Sequence, residues 1–419
     1  MTIKQLLSGM FLTGTVFTMS AQTNVANATT TSGGLGAGTN GYNTFYGANA
    51  GTNTTSNDNT FIGNGAGNYN TTGTQNTFVG ILAGFDCDTG NKNVYVGFNT
   101  GEGNTVGSQN VLMGHEAGQS FTGSNCTFLG YRAGNASFGL NNVYVGDNAG
   151  ENSSGSGNIF IGSNSGFSSS SGNSNLFLGV YAGLNNTGSS NLFFGNSSGQ
   201  DNETGSQNTF IGINTGRVNA TGANNVYLGY AAGSENIGSG NVFLGYYAGE
   251  RENSASNKLY IENGQSNKQP LIWGDFAADL LKLNAKVGIG LGAAAFPTAT
   301  GEINVSGYKL FVKGGILTEE VRVKLAAGWA DYVFDNSYSL KPLEDVECFI
   351  AENGHLPNVP SAKQVAEEGI ELGDMARIQQ EKIEELTLYA IQQQKQLDKQ
   401  DAEIKVLKAM VQELLEKKQ

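Results

Sequence analysis

Between residues 43 and 249 the apolar side chains arrive in short, evenly spaced bursts. "NTFIGNGAG" (59–67) is followed by "NTFVGILAG" (76–84), "NVYVGFNTG" (93–101) and, later, "NTFIGINTG" (208–216). Taking the first glycine of each burst as a ruler gives Gly47, Gly63, Gly80, Gly97, Gly114, Gly130, Gly146, Gly162, Gly179, Gly195, Gly212, Gly229 and Gly245. The spacing is always 16 or 17 residues, and a second glycine follows four residues later each time, from Gly51 to Gly249. Thirteen such units form an internal repeat, and that period governs the fold. Sixteen residues are too few for a helical hairpin, but they hold two short strands and two turns, one coil of a β-solenoid. The Asn-Thr-Phe-Ile segment is β-branched and aromatic and reads as the strand. The glycine pair permits a corner with positive φ. Segments such as "NTTG" (70–73), "DTG" (88–90) and "ATG" (220–222) read as the second turn. No proline interrupts the repeat region.

Within each strand the third position is Phe, Tyr or once Leu, from Phe45 through Leu112 to Phe243. The fourth position is also apolar (Tyr46, Ile62, Val79, Val96, Met113, Leu129 and on to Leu244), and the second shifts from Thr to mostly Val, Ile or Leu. A solenoid strand facing water on one side would alternate apolar and polar. Apolar residues on both sides imply that both faces are buried. One face fills the coil interior opposite a small residue (Ala50, Ala66, Ala83, Ala117); the other requires a partner, for which a further copy of the chain about a symmetry axis is the simplest choice. The Thr of the second position is expected to point inward. The first-position Asn (Asn59, Asn76, Asn93, Asn225) is expected to stack into a structural hydrogen-bonded ladder.

These repeats resemble the heads of trimeric autotransporter adhesins in their Asn start, apolar strand, glycine and small-residue corner, over residues 43–249. They depart from them in a slightly longer unit and in an aromatic where those heads usually carry an aliphatic residue. The resemblance implies a trimeric, left-handed parallel β-roll. At ~4.8 Å per coil, thirteen coils make a rod roughly 60 Å long.

After a degenerate copy, "NKLYIENG" (257–264), the pattern changes. "LLKLNAKVGIG" (280–290) and "YKLFVKGGILTEEVRVKL" (308–325) read as strands. "PLEDVECFIAENG" (342–354) reads as a helix opened by Pro342 and stopped by Gly354, with Leu343, Val346, Phe349 and Ile350 as its apolar stripe. A second helix begins at Ser361, with Gln364 completing a capping box. From Ile383 the period is seven: position a is Ile383, Ala390, Leu397, Ile404 and Val411, and position d is Leu386, Gln393, Gln400, Leu407 and Leu414. This predicts a coiled coil some 50 Å long. "NAKVGIG", "YKLFVKGGI", "NGHLPNVPSA" and "IEELTLY" resemble the C-terminal module of bacterial tail-fibre-like surface proteins, relatives of the endosialidase-type intramolecular chaperone. In that family, self-cleavage uses Ser-Asp followed closely by Arg and Lys. The nearest group here, Ser337, Ser339 and Lys341, lacks that run, so the module is expected not to cut itself.

The expected organisation is therefore a signal peptide (1–21), a linker (22–42), a solenoid head (43–255), a β-rich connector (256–341), a small helical module (342–375) and a coiled-coil stalk (376–419). The overall class is mostly β, and the chain is expected to be a homotrimer. "MTIKQLLSGMFLTGTVFTMSAQ" has the positive, apolar and small-residue regions of a cleaved export signal, with cleavage after Ala21. That places the protein outside the cell or at its surface. No later stretch is apolar enough to span a bilayer as a helix.

Composition narrows the chemistry. The net charge of −13 argues against a nucleic-acid partner. Cys87, Cys126 and Cys348 make no disulfide framework, since the first two lie in different repeats at different repeat positions. The two histidines, His115 and His355, lie in unrelated regions, which leaves no materials for a His-based triad or zinc site. "GAGTNG" (36–41) matches a phosphate-loop pattern without the flanking strand and helix. The acidic turns Asp86-Cys87-Asp88 and Asp201-Asn202-Glu203 read as solvated turns rather than calcium sites. The acids do not line up as in a polysaccharide-cleaving β-helix, and the interrupted Thr row does not make the regular array that ice binding needs. The sequence thus points to a non-enzymatic fibrous protein of adhesion or appendage structure, without catalytic, cofactor or metal residues. Its ligand, of host-cell, glycan or other surface origin, would meet variable turns such as residues 86–91, 138–140 and 216–220. The alternative is a tail-fibre-like receptor-binding part of a phage or contractile injection apparatus.

Overall fold

The computed structural model describes residues 30–33, 41–264, 269–325 and 328–417. The expected signal peptide and most of the linker, including nearly all of "GAGTNG", lie outside the described residues. Two compact units divide the chain, one ending at Asn284 and the other beginning at Ala285.

The first unit is a parallel β-solenoid of about 13 turns. A strand at Thr30–Gly33 pairs with Asn43–Tyr46, which pairs with Thr60–Ile62, and so on to Val242–Leu244, every step parallel. Register is strict: Phe45 lies opposite Phe61, Phe61 opposite Phe78, Phe78 opposite Tyr95. After Lys258–Ile261 the sheet turns antiparallel through Ile272–Asp275 and Leu280–Leu283, which end the stack.

Each coil contains one strand of mostly three residues, not the two expected from its length. The remainder of each coil stays hydrogen-bonded to the next without being extended. Gly67 N donates to Ala83 O at 3.0 Å and Tyr69 N to Phe85 O at 2.9 Å. Left-handed residues bend this ladder out of the β region, for instance Leu82 at φ 57° and Gln75 at φ 61°. The ruler glycines have their own reason. Gly97 sits at φ 142°, and a Cβ there would lie 2.2 Å from the carbonyl oxygen of Gly114 in the next coil.

The third strand position faces the coil interior and is fully buried from Phe45 to Phe243. The rings stack coil upon coil, with Phe160 and Phe177 centroids 4.7 Å apart and Phe61 and Phe78 4.8 Å apart. One coil breaks the column. It carries Leu112 at the ring position, and nine residues on Phe121 fills the interior place that neighbouring coils give to Asn104 and Ser137. Phe121 meets Phe128 edge-on, with centroids 4.8 Å apart. A small residue at one interior position is thus matched by a large one at the other, which preserves volume. Where the ring is Tyr, the residue nine places on bonds its hydroxyl. Asn104 Nδ2 donates to Tyr95 Oη at 3.1 Å, while Tyr144 and Tyr227 donate to Ser153 and Asn236, both at 2.9 Å.

The first-position Asn side chains join successive coils. Asn93 Oδ1 accepts from Asn110 N at 3.0 Å, while Asn93 Nδ2 donates to Gly107 O at 2.8 Å. The ladder is interrupted once, at Cys126. Its Sγ stands in for the amide oxygen and accepts from Asn142 N at 3.4 Å. Each buried amide satisfies backbone groups that the corner would otherwise leave unpaired.

The second and fourth positions point away from the coil interior. This corrects the inward placement of the second-position Thr: Thr60 and Thr77 are half-buried on the outer face of the strand.

The second unit is built differently. Val287–Ile289 pairs in parallel with Leu310–Val312, and Ala299–Thr300 pairs antiparallel with Ile303–Asn304. The strand expected through residue 325 ends at Val312: Gly314 and Gly315 follow, and residues 313–325 carry no strand. Three helices follow. α1 (Leu343–Asn353) has Pro342 at its N-cap and Gly354 left-handed at φ 74° at its C-cap. α2 (Ala362–Glu368) has the capping box, with Ser361 Oγ accepting from Gln364 N at 3.2 Å and Gln364 Oε1 from Ser361 N at 2.9 Å. α3 (Leu372–Glu416) is a single 45-residue helix. Among the described residues of this unit, Ala330, Val333 and Pro357 are the only aliphatic or aromatic side chains that are buried.

Candidate interaction surface

The outward strand positions form the largest feature of the solenoid. In the second position Val94, Val111, Ile159, Leu176 and Val226 are exposed; in the fourth, Ile62, Met113, Ile161, Phe194 and Leu228 are exposed. The position after the ruler glycine adds a third, interrupted row: Ile81, Phe98, Tyr131, Val180, Ile213 and Tyr230 are also exposed, while Asn64, Asp147, Ser163 and Asn196 break it. Strict register places these rows side by side, as a strip roughly 60 Å by 10 Å at β-sheet spacing. An apolar strip of that extent, broken by polar residues such as Thr60, Thr77 and Asn196, lies at the top of the range found on monomers and marks an interaction face.

A second apolar line runs along α3. The a and d residues Leu386, Leu397, Ile404, Leu407, Val411 and Leu414 are all exposed, and every described residue of 390–417 is exposed. In proteins most helical stability comes from packing of such an apolar face rather than from intrinsic propensity.

The first turns of α3 do have intrachain partners. Glu381 is buried and accepts from Tyr332 Oη, from Asn358 Nδ2 at 3.2 Å and from Lys382 Nζ at 2.9 Å. Burial pushes its carboxyl up, but the bonds from Tyr332, Lys382 and Asn358 outweigh that and hold it below the usual carboxylate range. Tyr338 Oη donates to Glu385, and Tyr389 Oη to Lys341 O at 2.6 Å. A groove of about 490 Å³ lies beside this cluster, lined by Ser339, Lys341, Leu343, Val346, Ile383 and Leu386. Lys341 Nζ lies 5.7 Å from the centroid of the Phe349 ring.

The variable turns singled out from the sequence are only partly surface. Cys87 and Gly90 in residues 86–91, and Gly216 and Asn219 in residues 216–220, are buried structural positions; Phe138 and Leu140 are exposed. Asn202, in the middle of the second acidic turn, is buried and donates to Asn186 Oδ1 at 2.6 Å. Asp201 Oδ1 is taken by Asn185 Nδ2 at 2.9 Å, and Asp88 Oδ1 by Thr71. Among the described residues no group of three or more His, Cys, Asp or Glu side chains is placed to hold a metal ion. His115 is stacked between Phe98 and Tyr131, with centroids 5.0 and 5.5 Å away, within the third apolar row. Sequence reasoning missed this row. Its signal was the recurrence of Ile81, Phe98, Tyr131, Val180 and Tyr230 directly after ruler glycines.

The two solenoid thiols, Cys87 and Cys126, are buried, whereas Cys348 is exposed. Burial pushes Cys87 up to about 12 and Cys126 up to about 11, and all three cysteines are free. No described helix is long and apolar enough to cross a membrane. No protein-family model, curated protein or solved structure matches the chain.

Proposed function

We propose that the chain is the subunit of a secreted, non-enzymatic fibre. Three copies join their outward solenoid faces into a left-handed trimeric β-roll and their α3 seams into a coiled-coil stalk. The exposed apolar strip recurring along the solenoid carries this reading, because burying it calls for a partner with the same repeat length. The α3 seam supports it independently, since its heptad stripe is exposed over the same helix that lacks intrachain contacts after residue 390. A rigid rod raised on a stalk suits surface adhesion or appendage structure. Such a rod repeats its outer residues coil after coil on every copy, so weak contacts with a host-cell, glycan or other surface ligand sum by avidity.

Sedimentation equilibrium of the chain lacking residues 1–21 tests this directly. The expected result is three chain masses at micromolar concentration. A single well-folded copy at that concentration overturns the proposal.

A further inference from the structure

The repeat rule is broken in one place. Nine residues after the ring residue, interior positions elsewhere hold neutral residues such as Asn104, Cys87 or Ser153; after Phe243 this position is Glu252. Glu262 takes the place of the next ruler glycine, because Ile261 pairs with Leu244. The next layer is the antiparallel strand that sets Trp273 opposite Tyr260. These departures surround one cavity of about 550 Å³, which Tyr247 and Glu250 also line. Its size falls within the range of small-molecule sites. Local rules broken together at one spot are the usual mark of function.

The lining sets three carboxylates, Glu250, Glu252 and Glu262, against two cations, Arg251 and Lys282. Glu262 Oε1 accepts from Gly249 N at 2.9 Å, while Glu250 Oε2 is buried without a hydrogen-bond partner. Burial, and then the charge of Glu252, push the Glu262 carboxyl up; burial does the same to Glu250. The aromatic wall already holds a cation: Lys282 Nζ lies 4.4 Å from the Trp273 ring centroid, and Trp273 Nε1 donates to Tyr260 Oη at 3.2 Å. Aromatic faces together with carboxylates are the chemistry that recognises ammonium groups.

We propose that this cavity binds a small organic ammonium ion, held by the Trp273 and tyrosine rings with Glu250, Glu252 and Glu262 as counter-charge, and that the ligand displaces Lys282. All the lining residues belong to one chain, so the site stands or falls separately from trimer assembly.

The chain has two tryptophans, and Trp329→Phe leaves Trp273 as the sole indole reporter. Its fluorescence is followed in the full chain during titration with tetramethylammonium or choline at constant ionic strength. 3,3-Dimethyl-1-butanol serves as the neutral isostere of choline. The expected result is a saturable change with the cations and at least roughly tenfold weaker binding of the isostere. Glu262→Gln should weaken binding several-fold. Lys282→Met, at an exposed position, should tighten it several-fold by removing the internal competitor. Phosphatidylcholine vesicles form a separate arm. Saturation by free choline alone assigns a soluble amine and saturation by both a lipid headgroup; either supports the site. No saturable change, equal response to the isostere, or unchanged affinity in Lys282→Met with an unchanged melting curve overturns it.

Discussion

The solenoid and the C-terminal unit treat their apolar residues in opposite ways. In residues 43–261 the coils bury rings against one another, apart from the coil that carries Leu112, so the inner core is complete within one chain. In residues 285–417 almost nothing is buried, and the apolar residues of α1 and α3 lie on the surface. The difference is one of contact range. A solenoid meets its neighbours about sixteen residues away along the same chain, whereas a straight helix has no second layer unless another segment supplies it. The outer face of the solenoid shares the condition of α3. Each unit therefore presents one apolar line that its own chain does not cover.

Breaking the helical line has the largest expected effect. Ile404→Asp with Leu407→Asp should abolish most of the helical circular-dichroism signal of residues 390–417 and its concentration dependence, while leaving the β signal of the solenoid in place. Equal loss of both signals would show that the two units do not differ in the way described. Next comes Gly97→Ala, which places a Cβ on the Gly114 carbonyl at a left-handed φ. It should cost at least about 3 kcal/mol, read as a lower midpoint of the solenoid transition with the α3 signal unmoved. Leu112→Phe overfills the coil that already holds Phe121 and should cost about 1–3 kcal/mol. Adding Phe121→Asn, the pairing found at Phe193 and Asn202, should recover most of that loss in the same melting experiment. The smallest effect is a gain. Cys126→Asn restores the amide ladder and replaces the 3.4 Å sulfur contact to Asn142 N with an oxygen acceptor, which should stabilise the solenoid by about 0.5–1.5 kcal/mol.

Much of the solenoid is legible because its period is. A ring every 16 or 17 residues, an invariant glycine and a recurrent Asn dictate one strand register, since a slip by one residue would turn Phe61 or Phe177 outward. The single strand per coil was not legible. The second half of each coil forms the same ladder through left-handed residues such as Leu82 and Tyr181, whose side chains do not advertise positive φ. The reciprocal pair Leu112 and Phe121 was likewise hidden, because nothing in one repeat says that positions nine residues apart share the same interior. The cavity at Trp273 draws its lining from the last repeat, the degenerate copy at 257–264 and the strand read at 280–290, segments that no sequence pattern joins. Its acids come together because the sheet reverses direction there, which periodicity does not announce.

The sequence alone determined the coil count, the buried aromatic column and the amide ladder, because each is a local pattern repeated until only one register buries it. The tertiary structure decided which face of each strand looks outward, how interior volume is shared between Leu112 and Phe121, and where charge gathers at the end of the stack. Those features depend on side chains from separate turns of the chain meeting in space, and that meeting is fixed by backbone conformation rather than by residue type.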